Sequence, residues 1–330
     1  MRFKKFLLTT CFMSGILFSL SLQNVFAAQQ ESWSEWLRTL RQEAIDQGIR
    51  PELFDEVFQN IKAPNRTVLS YDKHQPEKRL TFLKYRNTRA DQYRIAIGRK
   101  KLQQYRPLLN EIGQKYGVNP CFIVSLWGLE TSYGTFMGKF PVVQSLATLA
   151  HDPRRATFFR KQLLYALQIL NEGHIKNADF KGEWAGASGH PQFLPSSWHN
   201  YAVDYDQDGK KDIWSSYPDV FASIANYLSK NGWQKDQPWA IIVNVPESLT
   251  HLENQKISKT LAEWEALHVT TLKGQSWPED KNLLAQLIRP DGGPNMLIFD
   301  NFNVIMKWNR SNYYAGTVGY LAEEICRSPL

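Results

Sequence analysis

A single carboxylate, Glu130, stands among apolar and aromatic neighbours in the stretch FIVSLWGLETSYG, residues 122–134. Trp127, Leu126 and Ile123 precede it by three, four and seven residues, so on a helix the acid shares their apolar face. Asn119 is a candidate N-cap, and Pro120 suits the first helical position. A buried carboxylate is costly unless it is paired or protonated, and a raised pKa is what a general acid needs near neutral pH. A structural Glu, paired with a buried Arg or capping a turn, would fit the same stretch. This segment alone leaves both readings open.

Two other blocks combine polar and aromatic groups. In GEWAGASGHPQFLPSSW, residues 182–198, Gly182, Gly186 and Gly189 permit close backbone approach, while Gln192 and Phe193 offer an amide and a ring suited to a sugar. A tight packing turn would use the same residues. In KWNRSNYYAG, Asn309, Arg310, Asn312, Tyr313 and Tyr314 stand together, which also fits a helix start capped by Ser311 or Asn312.

A third pattern concerns metal. DYDQDGKKDIW sets Asp204, Asp206, Asp208 and Gly209 at positions 1, 3, 5 and 6 of an EF-hand-like loop, with Asp212 at position 9. Ser215 replaces the bidentate Glu of position 12, and Lys210 and Lys211 lower the local negative charge. Calcium binding and a metal-free Asp-rich turn both remain open.

The surrounding sequence limits the setting. Arg2, Lys4 and Lys5, then an apolar run ending at Val25-Phe26-Ala27, read as a cleavable signal peptide over residues 1–27. Cys11 lies too early in that run for a lipid anchor. Losing the three basic residues takes the net charge from +7 to +4. That mild excess suits a polyanionic partner, but no Lys/Arg run is dense enough to select nucleic acid. Cys121 and Cys326 survive processing; they either pair in an oxidising compartment or stay apart, with Cys121 in the core.

Two short helices are expected over residues 33–61, a loop over 63–77, one or two long helices from Lys78 to Tyr116, and a helix pair broken near Asp152-Pro153. Helical signals return at 196–203 and 218–232. PWAIIVNVP and PNMLIFD read as strands, and YYAGTVGYLAEEI as a closing helix.

Taken together, WGLETSYG, WAGASGHPQFLPSSW and FDNFNVIMKWNRSNYYAGTVGYLA resemble the lytic murein transglycosylase B family of periplasmic peptidoglycan-cleaving enzymes. FPVVQSLATLAHDPRRATFFRKQLLYALQIL and PDVFASIANYLSKNGW extend the resemblance over most of the chain. It implies an α+β, mostly helical, lysozyme-like fold. The expected layout is a catalytic region over 28–234 with the EF-hand-like loop at 204–219, a small mixed segment over 235–300, and a C-terminal segment over 301–330 returning to the groove.

The resemblance also implies that Glu130 is the single acid/base, and that Arg154, Arg155, Gln192, Phe193, Asn309 and Tyr314 line the glycan groove. Such an enzyme cleaves the MurNAc–GlcNAc bond and closes a 1,6-anhydro ring. It requires no cofactor; calcium at Asp204, Asp206, Asp208, Lys210 and Asp219 is the candidate metal. Peptidoglycan strands are the implied partner, with cell-wall synthesis proteins as further candidates. Glu183 departs from the family, which carries a small Ser there close to the catalytic Glu. A second carboxylate could raise the pKa of Glu130 by repulsion, serve a hydrolytic muramidase, or point into solvent. A catalytically silent glycan-binding module is the reading from another functional class.

Overall fold

A computed structural model of the chain describes residues 31–73 and 80–327, so the expected leader lies outside the described residues. Helices α1 (Trp33–Asp46) and α2 (Pro51–Phe58) open it. Ser32 and Glu35 form a capping box on α1, and Pro51 starts α2.

The stretch expected to be a loop contains a helix, α3 (Arg66–Lys73). It buries only Val68, so its sequence period is weak. Its order comes from elsewhere. Asn65 accepts from the backbone N–H of Thr67 and Val68, and its own N–H donates to Thr148 Oγ1 at 2.9 Å. Local capping and tertiary anchoring here override a poor periodic signal.

The region from Lys78 to Tyr116 holds three helices: α4 (Phe82–Arg89), α5 (Gln92–Gln104) and α6 (Arg106–Tyr116). Asp91 caps α5 by accepting from Arg94 N–H, and Pro107 forces a new start in α6. Gly117, at φ 68°, ends α6 in the left-handed region.

The central element is α7 (Pro120–Thr131), capped by Asn119 through Cys121 N–H. It is buried on nearly every side from Cys121 to Gly128, rather than along one face. Helices α5, α6 and α11 (Tyr217–Lys230) pack against it, while α8 (Val142–His151) packs on α9 (Ala156–Asn171) and α10 (Pro195–Tyr201) bridges α9 to α11. A small ladder joins β1 (Phe140–Pro141) to β2 (Lys181–Gly182).

Beyond α11 come β3 (Ala240–Asn244), β4 (Ser258–Thr260), α12 (Leu261–Ala266), β5 (Thr270–Thr271), β6 (Leu284–Ile288) and β7 (Met296–Ile298). The five strands form an antiparallel sheet in the order β4-β6-β7-β3-β5. Their own core gathers Val243, Leu261, Trp264, Leu287 and Leu297. The larger core belongs to the helices.

The chain then returns through α13 (Asp300–Trp308) and α14 (Asn312–Cys326), the latter capped by Ser311. Helix α14 packs along α7, where Ser125 Oγ donates to Val318 O at 2.7 Å. A disulfide between Cys121 and Cys326, with Cα atoms 5.8 Å apart, ties the start of α7 to the end of α14. Replacing both cysteines by Ser removes a link spanning 205 residues. The expected cost is about 2–5 kcal/mol, read as a lower denaturation midpoint than that of the oxidised wild type.

Candidate active site

Glu130 occupies the last turn of α7, and the returning chain supplies its partners. Trp308 Nε1, at the end of α13, donates to Glu130 Oε1 at 2.8 Å. Tyr314 Oη, in the first turn of α14, donates to the same oxygen. Among the described residues, Oε2 makes no hydrogen bond. It is the oxygen left to carry the proton of the acid form. Part of the side chain still reaches solvent, yet protein atoms crowd the carboxyl densely.

Desolvation therefore dominates and pushes the Glu130 pKa up to about 7. The two hydrogen bonds, then the Arg89 charge, pull the other way without cancelling it. Burial, reinforced by the Glu130 charge, raises the Tyr314 pKa well above its usual value, so its phenol remains a donor.

The partners rest on an aromatic wall. Phe193 is 3% exposed and packs against Trp308, with ring centroids 5.3 Å apart, and Tyr227 packs against both. The expected role of Phe193 as a ring offered to a sugar is corrected by this burial: it supports the indole that holds Glu130. Trp308 itself was not singled out in the sequence, although it lies one residue before Asn309. Its signal was the aromatic inside the same motif. Arg89, on α4, also acts on Glu130 electrostatically, while burial and, more weakly, the Glu130 charge raise the pKa of Tyr85 on the same helix; no motif marked either residue.

Below the site, Trp127 Nε1 donates to His190 Nδ1 at 2.8 Å, and Thr131 Oγ1 donates to His190 O at 3.1 Å. Burial lowers the His190 pKa to about 4, so the ring is neutral and Nδ1 can accept. Gln192, at φ 51°, donates through Nε2 to Gly189 O and Met137 O, bridging its own loop to the turn after α7. Gly138 at φ 86° abuts the Gly182 backbone, where a Cβ would come within 2.1 Å of the carbonyl carbon.

The remaining candidates are placed differently. Asn309 is exposed at the C-terminal end of α13. Arg154 and Arg155 bind Asp72 at the end of α3, Arg154 at 2.6 Å, and form no contact with Glu130 among the described residues. Glu183 is exposed and does not contribute to the raised pKa of Glu130, so the proposed repulsion is replaced by burial as the cause.

At the acidic loop, one carboxylate oxygen each of Asp204, Asp206 and Asp219 lies within 4.8 Å of the others. Asp219 is fully buried and accepts from the N–H groups of Tyr205, Asp206 and Asp212. Burial raises its pKa to about 6, despite those bonds, and the Asp206 charge adds to the rise. Three converging hard oxygens fit calcium. Asp208 stands outside this set; it accepts from Lys210 N–H and donates its own N–H to Asp204.

A folded Glu130 pKa above the unfolded value means the native state binds the extra proton between roughly pH 4.5 and 7, so stability falls as pH rises through that window. Glu130→Gln removes the charged form that burial penalises. At pH 8 the variant is expected to be more stable by an order of 2–3 kcal/mol, a gain that vanishes near pH 4. Thermal melts across that range check it, and a pH-independent difference would contradict the assignment.

Known proteins are similar to this chain in sequence and in fold. A family model described as "Transglycosylase SLT domain" matches residues 32–323. The membrane-bound lytic murein transglycosylase B of Escherichia coli K12 is 34% identical over 227 residues, 67% of this chain and 61% of that relative. The chain thus covers about three fifths of that relative's length. SltB3 from Pseudomonas aeruginosa, solved with NAG-anhNAM-pentapeptide, is 38% identical with a TM-score of 0.85, covering 89% of this chain and 80% of that one. Escherichia coli Slt35, solved in complex with calcium, is 28% identical with a TM-score of 0.77, covering 88% and 92%. The α+β, mostly helical, lysozyme-like architecture implied by the motifs is thus the fold observed, and the chain belongs to the SLT-domain transglycosylase family.

Proposed function

We propose that the chain is a lytic transglycosylase that cleaves the MurNAc–GlcNAc β-1,4 bond of peptidoglycan with formation of 1,6-anhydro-MurNAc. The observation that carries this reading is Glu130, partly protonated at neutral pH and held through one oxygen by Trp308 and Tyr314. The family membership and the peptidoglycan fragment bound to SltB3 support the substrate.

The geometry suits one acid working twice. Oε2 delivers its proton to the glycosidic oxygen as the bond breaks, leaving Glu130 as a carboxylate. The substrate's N-acetyl group stabilises the cationic sugar. Carboxylate Glu130 then takes the proton of the C6 hydroxyl as that oxygen attacks C1, and no water is consumed. Trp308 and Tyr314 stabilise the carboxylate between the two steps, because both donate to it. A hydrolytic muramidase would need a second carboxylate facing the bond. Glu183 is exposed and is not among the groups that shift the Glu130 pKa, so no second carboxylate is coupled to the acid among the described residues.

Export to the periplasm rests on the leader and on the disulfide chemistry of Cys121 and Cys326. Among the described residues, no helix is long and apolar enough to cross a membrane. Calcium is proposed for the acidic loop, held by Asp204, Asp206 and Asp219, where it would neutralise their repulsion and fix the loop before α11.

Mass spectrometry of products from purified sacculi tests the reaction: anhydro-muropeptides are expected from the wild type, with at least about a hundredfold less product from Glu130→Gln. Chiefly reducing-end muramic acid would overturn it. Trp308→Phe removes one bond to the carboxylate, so the Glu130 pKa rises and activity, which needs the protonated acid, should persist to higher pH. An unshifted basic limb of the pH–rate profile would count against the assigned role. Millimolar calcium should raise the melting temperature of metal-stripped protein, and Asp204→Ala should abolish the rise.

A further inference from the structure

The turn after Glu130 runs directly into a pocket. Ser132, Tyr133 and Gly134 all have positive φ, and residues 135–140 then line a pocket of about 560 Å³ with Tyr71, Glu183 and Trp184. Four rings wall it: Tyr71, Phe136, Phe140 and Trp184. Phe136 is 71% exposed and Tyr71 48%, unusual for large rings on a folded surface.

These rings sit on anchored backbone. Tyr71 meets Phe140 edge to face at 5.8 Å. Its neighbour Asp72, with a side chain only 4% exposed, is clasped by Arg154 and Arg155, which fixes α3 against the body. On the opposite side, Gln192 holds Met137 O, and Gly138 lies against Gly182. The arginines expected to touch glycan thus position the helix that presents Tyr71.

The rim carries one charge of each sign. Lys139 and Glu183 are both exposed, line the same pocket, and enter no ion pair or side-chain hydrogen bond among the described residues. Opposite charges that share a pocket without pairing leave both heads for a ligand that carries both signs. An uncharged sugar needs neither. The peptide on muramic acid carries carboxylates, and the amino group of its diamino acid is cationic.

We propose that this pocket is a stem-peptide subsite, resting on the lytic reading above. Lys139 meets a peptide carboxylate, Glu183 meets the ammonium of the diamino acid, and the rings cover its aliphatic chain. The departure of Glu183 from the family's Ser then selects substrate and takes no part in bond breaking. Strands bearing free diamino-acid stems would be preferred over strands stripped of peptide.

The test separates the pocket from the chemistry. Full-length Glu130→Gln protein is titrated calorimetrically with the tripeptide alanyl-γ-glutamyl-diaminopimelate, a readout that needs no turnover. Binding is expected, weakened by about fivefold or more when Glu183→Gln or Lys139→Met is added, and further by Phe136→Ala. In parallel, the ratio of kcat/KM on peptide-bearing over amidase-stripped strands should exceed about five for the wild type and fall toward one in Glu183→Gln. No heat with the tripeptide, or a ratio unmoved by both charge substitutions, overturns the subsite. Tripeptide binding without cleavage of either strand overturns the lytic reading and leaves the subsite standing.

Discussion

The arrangement depends on keeping Glu130 poorly solvated yet incompletely neutralised. Removing a carboxylate from water raises its pKa, and every donor added lowers it again. Here two side-chain donors converge on one oxygen, and burial still wins, leaving the pKa at about 7. A buried cation in direct contact would have reversed that balance and produced a permanent carboxylate. The Arg89 charge pulls on Glu130 more weakly than either hydrogen bond, which leaves the acid largely protonatable near neutral pH.

That requirement explains the path of the chain. The acid lies on α7, while both donors come from more than 170 residues later, one at the end of α13 and one at the start of α14. The short connection between those helices therefore has to stand at the mouth of the site. The disulfide to Cys121 and the Ser125–Val318 hydrogen bond hold α14 along α7, so its first turn cannot drift from Glu130. The five-stranded sheet enters the chain just before this return. Its last strand, β7, leads directly into α13.

Legibility in the sequence followed the range of the interactions. Asn119 and Pro120 announced α7 because capping is local, and Gly117 announced the end of α6 for the same reason. Helix α3 was hidden because it buries one residue and is held by Asn65, Thr148 and two distant arginines. Glu130 was visible as a charge among apolar residues. The carboxylate's partners were only partly visible: Tyr314 stood out in a motif, whereas Trp308 beside it looked like packing. No period or cap signals that an indole 178 positions away will reach an acid. Phe193 was marked for the right place and the wrong contact, since sequence cannot tell a ring facing sugar from one bracing another ring.

Two buried carboxylates, Glu130 and Asp219, show why burial alone does not define a catalytic acid. Both have pKa values raised by desolvation. Asp219 uses both oxygens to accept backbone N–H groups from Tyr205, Asp206 and Asp212, so its charge organises the acidic loop. Its neighbour Asp206 is an acid whose charge adds to that rise. Glu130 has one oxygen satisfied by side chains and the other left open, with no acid among the groups that shift it. The difference lies in the unclaimed oxygen. A carboxyl bonded on both sides holds structure, whereas one bonded on a single side can exchange its proton with whatever occupies the groove.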